Sequence, residues 1–147
     1  MIPDLMIIQP TVFNDSRGFF YESYNRNSFL ENGIDYIFVQ DNHSRSKYGV
    51  LRGLHFQNPP FAQTKLVRVT RGKVLDIALD IRIGSPTYLQ HLAIELSEEN
   101  KTQLLIPQGF AHGFVVLSED VEFMYKCDNF YNKAADGGIL FNDERLE

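Results

Sequence analysis

Within Val50-Leu51-Arg52-Gly53-Leu54-His55-Phe56-Gln57 stand a guanidinium and an imidazole, and the ammonium of Lys65 follows ten residues after the histidine. An apolar strand has little structural use for such a trio, because charged side chains normally keep to the surface. An enzyme that removes a proton beside a carbonyl would use all three. Imidazole titrates near neutral pH and suits a general base. An ammonium in a water-excluded site stabilises an enolate oxygen, and a guanidinium matches a diphosphate through paired hydrogen bonds. Each residue also has an ordinary alternative. His55 could be a hydrogen-bonded core histidine, Lys65 a strand-end lysine with its head in solvent, and Arg52 half of a surface ion pair. Strict alternation puts Arg52 and His55 on opposite faces of a strand, whereas a bulge at Gly53 would bring both to one cavity.

Other segments offer partners for this trio. In Pro107-Gln108-Gly109-Phe110-Ala111-His112-Gly113 a turn delivers His112 to the start of a strand, at a P-x-G-x-x-H spacing that resembles the second motif of cupin jelly rolls. Metal-binding cupins add a first motif with an H-x-H pair and a glutamate. The matching stretch here is His55-Phe56-Gln57 with no acidic side chain in the next dozen residues. Two histidines make a poor divalent-metal site, so a cupin-like barrel without metal is expected. Tyr125 lies on a late strand and could act as a general acid from the face opposite a base, or could be one of several packing tyrosines. Arg17, in Asp15-Ser16-Arg17-Gly18-Phe19-Phe20-Tyr21-Glu22, could meet phosphate while a Phe stacks on a base or sugar, or could sit in an ordinary polar turn. His43 and His91 have no evident partners and default to structural roles.

These residues need strands to position them, and the sequence supplies them. Short β-branched and aromatic runs are separated by Gly, Pro, Asn and Asp. Strands are predicted over 5–9, 19–24, 37–40, 50–56, 66–70, 74–81, 88–96, 103–106, 113–117 and 122–127. Residues 25–31, stopped by Asn32-Gly33, form the one predicted helix. So many short strands favour an all-β sandwich or jelly roll with one or two short helices. The run 74–81 is apolar except for Asp76 and Asp80, and the tail after Tyr131 is polar and weakly patterned.

At 147 residues with no repeat or linker, the chain reads as a single domain. Its net charge of -5 argues against nucleic-acid binding, which needs a basic face. A single anionic small molecule held by a local Arg/Lys cluster remains compatible with it. Twelve Phe and seven Tyr suit both strands and a pocket that stacks on planar rings. Cys127 is the only cysteine, so no internal disulfide forms. With neither a signal-peptide pattern nor a membrane span, a soluble cytoplasmic protein is expected.

Taken in order, residues 17–22, 39–44, 49–57, 62–68, 106–114 and 122–126 closely resemble the dTDP-4-dehydrorhamnose 3,5-epimerase family, over a match from about residue 5 to the end. The resemblance implies a cupin jelly roll that dimerises by exchanging N-terminal strands and uses no metal or redox cofactor. The implied substrate is a dTDP-linked 4-keto-6-deoxy sugar, inverted at C3 and C5. By motif, His55 resembles the base, Lys65 the enolate-stabilising group and Tyr125 the acid. Arg52, His112, Gln40, Asn42 and Ser44 resemble pocket residues around sugar and diphosphate. Arg17, Glu22 and a Phe of the 19–20 pair, taken as Phe20, resemble nucleotide contacts made across the dimer, and Tyr131 another nucleotide-side residue. Family members run on past this sequence and carry there an aspartate paired with the histidine. For residues 1–147, either another acid serves or turnover is expected to be slower or restricted to a single centre. Asp76 and Asp80 lie on a nearby candidate strand, but nothing in the sequence places either against His55. A related epimerase or ketoisomerase, a non-catalytic sugar-nucleotide binder and a metal-dependent cupin oxygenase are the competing readings.

Overall fold

The computed structural model describes residues 1–146. Its strands form where β-branched and aromatic runs lie between turn-forming residues. In chain order they are β1 (Met6–Ile8), β2 (Phe13–Asp15), β3 (Gly18–Phe20), β4 (Gln40–Lys47), β5 (Leu51–Gln57) and β6 (Lys65–Arg71). They continue as β7 (Lys73–Asp80), β8 (His91–Ser97), β9 (Gln103–Ile106), β10 (Phe110–Val116), β11 (Asp120–Cys127) and β12 (Asp136–Gly138). Between β3 and β4 lies α1 (Arg26–Glu31). The Asn25 side chain caps it by accepting from the N–H groups of Asn27 and Ser28, and Gly33 follows at φ 76. A 3-10 turn, Lys133–Ala135, precedes β12.

Two five-stranded antiparallel sheets, ordered β1-β9-β6-β11-β4 and β12-β5-β10-β7-β8, face each other, and β2 and β3 form a separate hairpin. This is the cupin-type jelly roll that the sequence predicts. Inward positions of both sheets interdigitate: Val67, Val69 and Phe123 from the first meet Val74, Phe110 and Phe114 from the second. The rings of Phe114 and Phe123 stack with centroids 4.2 Å apart. Burying these apolar faces drives the sheets together. Toward one mouth of the sandwich the inward positions turn polar, with Gln40, Asn42 and Ser44 on β4 in place of core residues. The core therefore stops short there and leaves a cavity.

β7 shows how polar groups are held inside. Asp76 and Asp80 alternate with Val74 and Ala78 on its inward face and are fully buried. Burial alone would raise the Asp80 pKa, but hydrogen bonds from Arg82, Thr87 and Ser85 hold it far below the usual carboxylate range. Arg82 also reaches Asp4 at 2.8 Å and lies over the Phe110 ring. The N-terminal segment is thus tied to the closed end of the sandwich.

Several elements differ from expectation. The strand predicted over 19–24 ends at Phe20 and pairs with an unpredicted strand, Phe13–Asp15, and the strand predicted at 113–117 starts already at Phe110. Residues 37–39 are not strand, and β4 instead runs through the polar Gln40–Lys47. β4 is a sheet edge whose inner face lines the cavity, so no hydrophobic alternation marks it. The predicted strand at 88–96 starts only at His91, because hydrogen bonds to Asp80 hold Ser85 and Thr87 in turns ahead of it. β12 arises from the polar tail by pairing with β5, Gly138 opposite His55 and Asp136 opposite Gln57. Among the described residues no helix is long and apolar enough to cross a membrane.

Candidate active site

The site begins with an irregularity in β5. Against β10, His55 pairs with His112 and Arg52 with Phe114, so three residue steps on β5 match two on β10. The extra residue is a bulge, and it turns Arg52 and His55 to the same side. Leu54 goes to the outer face, where it packs in an apolar cluster with Leu79 and Ala111. Gly53 carries the bend at φ 117, and a Cβ there would lie 2.6 Å from both the Gly113 Cα and the His112 carbonyl oxygen. Only glycine fits so close an approach at positive φ.

Arg52, His55, Lys65, His112, Tyr125, Asn42, Ser44 and Tyr131 line one cavity of about 420 Å³, a size suited to a small ligand. His55 and His112, directly opposite each other on neighbouring strands, occupy one wall. Lys65 on β6 and Tyr125 on β11 occupy the facing wall, with the Lys65 Nζ 5.5 Å from the Tyr125 ring centroid. Burial pushes the Lys65 pKa down, opposed by the fields of Cys127, Asp76 and Asp136. Burial pushes the Tyr125 phenol up, opposed by a hydrogen bond with Asn42. The Cys127 thiol beneath them is driven by burial up to about 11, so it is a neutral neighbour of Lys65. Among the described residues this half-buried lysine has no carboxylate in ion-pair contact, an arrangement able to meet an anion.

The sequence model of the dTDP-4-dehydrorhamnose 3,5-epimerase family matches residues 1–147. The chain belongs to that epimerase family. The enzyme of this name from Salmonella typhimurium is 58% identical over 146 residues, which cover 99% of this chain and 80% of the relative. The crystal structure of the Elizabethkingia anophelis enzyme, 55% identical, matches with a TM-score of 0.93 over 99% of this chain and 80% of its own. A Legionella pneumophila dTDP-6-deoxy-D-glucose-3,5-epimerase in complex with dTDP-4-keto-L-rhamnose is 51% identical, with a TM-score of 0.95 over 99% of this chain and 77% of its own.

Within this epimerase framework the remaining expected residues divide. Arg52 is bonded to the Ser46 hydroxyl at 2.8 Å, and among the described residues no carboxylate pairs with it beside the cavity. Gln40 stands one step back, donating to the Asn42 Oδ1 at 3.1 Å and accepting from the Tyr131 N–H at 3.1 Å. Arg17, Phe20 and Glu22 lie away from the cavity. Arg17 is paired with Asp15 in the exposed hairpin, Phe20 is 66% exposed, and Glu22 accepts from the Asn25 side chain. The exposed His43 lies 3.7 Å from Glu122.

The sequence places neither Asp76 nor Asp80 against His55, and the structure engages both elsewhere. Asp76 is bonded to His112 at 2.8 Å, and Asp80 is taken by Arg82, Ser85 and Thr87. This contact orients the His112 ring, and where Asp76 accepts from the Nε2–H it also fixes the tautomer. The ring is also stacked on Phe123, with centroids 6.0 Å apart. This buried dyad is absent from the sequence reading, although an aspartate inside the apolar run of β7 was its signal. Asp136, whose field with that of Asp76 bears on Lys65, reaches the cavity through β12, which sequence patterning does not reveal.

Proposed function

We propose that this cavity carries out the family's reaction, with His55 as the base, Lys65 as the oxyanion partner and Tyr125 as the acid. Epimerisation at C3 and C5 of a nucleotide-linked 4-keto-6-deoxy sugar requires breaking a C–H bond beside the C4 ketone. The electron pair of that bond moves into an enolate whose charge falls on O4. His55 takes the proton, and the Lys65 ammonium meets O4. The Tyr125 O–H then returns a proton to the same carbon from the other side of the ring, leaving a phenolate that solvent reprotonates as His55 releases its proton. The same cycle at the second carbon flanking the ketone completes the reaction. One observation carries this reading: His55 and Tyr125 stand on facing walls of one cavity with Lys65 beside the tyrosine. Inversion needs a donor and an acceptor of protons on opposite faces, and the two sheets supply them.

Arg52, His112, Gln40, Asn42 and Ser44 surround the sugar and diphosphate in this reading, and Tyr131 lies on the nucleotide side. Arg17, Phe20 and Glu22 serve a second copy of the chain. The β2–β3 hairpin stands apart from both large sheets and exposes Phe13, Phe19 and Phe20, a form suited to reaching into the cavity of a partner in a homodimer. The test of the reaction is incubation with dTDP-4-keto-6-deoxy-glucose in deuterated water, followed by NMR of the sugar. Deuterium at both C3 and C5 of the L-rhamno product is expected. Turnover without label, or label at neither centre, would refute proton abstraction.

A further inference from the structure

Gln57, at the end of β5, is 9% exposed and uses its whole amide on backbone groups. Its Nε2 donates to the carbonyls of Phe61 at 2.6 Å and Phe130 at 3.2 Å. Its Oε1 accepts from the Asn132 N–H at 2.9 Å. The last two contacts bracket Tyr131, whose own N–H goes to the Gln40 Oε1. The Phe130 carbonyl and the N–H groups of Tyr131 and Asn132 are therefore all held by two glutamines rooted in opposite sheets. Asn129, just before them, donates to the Pro60 carbonyl at 3.0 Å and its own carbonyl accepts from Gln63 at 2.9 Å.

Above this clamped backbone Tyr131 remains 58% exposed as a residue on the cavity rim. Burying an amide is favourable only when its donors and acceptor are all matched, and here one side chain matches two carbonyls and one N–H. A glutamate would lack the donors, and an apolar residue would leave all three backbone groups unpaired. A fixed backbone beneath an open aromatic face is how a stacking platform is prepared before its ligand arrives.

We propose that Gln57 is a positioning residue that holds Tyr131 as a rigid platform for the planar base of the substrate's nucleotide. It acts on affinity for the nucleotide half and not on proton transfer. This rests on the reading of Tyr131 as a nucleotide-side residue.

The experiment measures dTDP binding by calorimetry and steady-state kinetics for Gln57→Met, Tyr131→Ala and the double variant. Gln57→Met is expected to raise the Kd for dTDP and the KM about tenfold, with kcat within about twofold of wild type. The double variant is expected to bind no worse than Tyr131→Ala alone. Gln57→Glu keeps the size but cannot donate to the two carbonyls; it is expected to behave alike and replaces Gln57→Met if that variant fails to fold. Because the chain has no tryptophan, Tyr131→Trp supplies a single fluorescent reporter, whose anisotropy should fall when Gln57→Met is added. Unchanged dTDP affinity, effects that multiply in the double variant, unchanged anisotropy, or a loss of kcat at constant KM would overturn the proposal. Wild-type dTDP affinity in Tyr131→Ala would instead overturn the underlying reading of Tyr131, and the platform with it.

Discussion

Lys65 and Tyr125 are neighbours whose titrations move in opposite directions, and this separates their roles. Burial lowers the lysine from its ordinary 10.5 and raises the phenol from its ordinary 10.0. As pH rises the ammonium is therefore lost earlier than in a free lysine, while the phenol keeps its proton later than a free tyrosine. Activity that needs both protonated must fall on the alkaline side when Lys65 deprotonates. We expect the alkaline limb of kcat/KM, which reports the free enzyme, to have its midpoint below 10.5 and to move to higher pH in Lys65→Arg, where only the raised phenol of Tyr125 remains to be lost. A wild-type limb at or above that value, or one unmoved by Lys65→Arg, would remove Lys65 from the role. The types and spacing of Arg52, His55 and Lys65 were legible in the sequence, because such groups are costly on an apolar strand. The His112–Asp76 pair was not, because it joins neighbouring strands through register, and register is invisible until β10 and β7 are paired.

The bulge of β5 is the element on which the cavity depends. Without the bulge at Gly53, strict alternation along the same residues would send either Arg52 or His55 to the outer apolar face. Gly53→Ala forces a Cβ into the backbone of Gly113 and His112 at a φ that alanine resists. It is expected to cost about 2 kcal/mol, read as a fall in Tm of roughly 4–8 °C. It should also weaken dTDP binding as Arg52 moves. A wild-type melt together with wild-type affinity would show that the bulge does not set the site. Most other elements were legible because one of their faces is buried. β9 is found where the apolar run 103–106 predicts it, and α1 starts and stops at its Asn and Gly signals. β4 and β12 were missed for one shared reason. They line a polar cavity or a sheet edge, so neither hydrophobic alternation nor β-branched composition marks them.

At the scale of the molecule, the jelly roll holds two sheets face to face with an apolar core at one end and opposed chemical groups at the other. The proposed homodimer would add the β2–β3 hairpin of a second copy. Co-expressed His55→Ala and Arg17→Ala chains test this. If hairpins are exchanged, a mixed dimer carries one cavity with both defects and one with neither, so roughly a quarter of all sites regain activity. Failure to exceed the parent variants, assayed at low substrate, would place Arg17 in its own chain's site or in none. The central claim, however, is that base and acid stand on opposite walls. The most direct measurement follows the sugar protons by NMR in deuterated water for wild type, His55→Asn and Tyr125→Phe. The account predicts that wild type exchanges and inverts, that His55→Asn does neither, and that Tyr125→Phe exchanges the proton beside the ketone while retaining configuration. Exchange that persists in His55→Asn, or inversion at the wild-type rate in Tyr125→Phe, would contradict it.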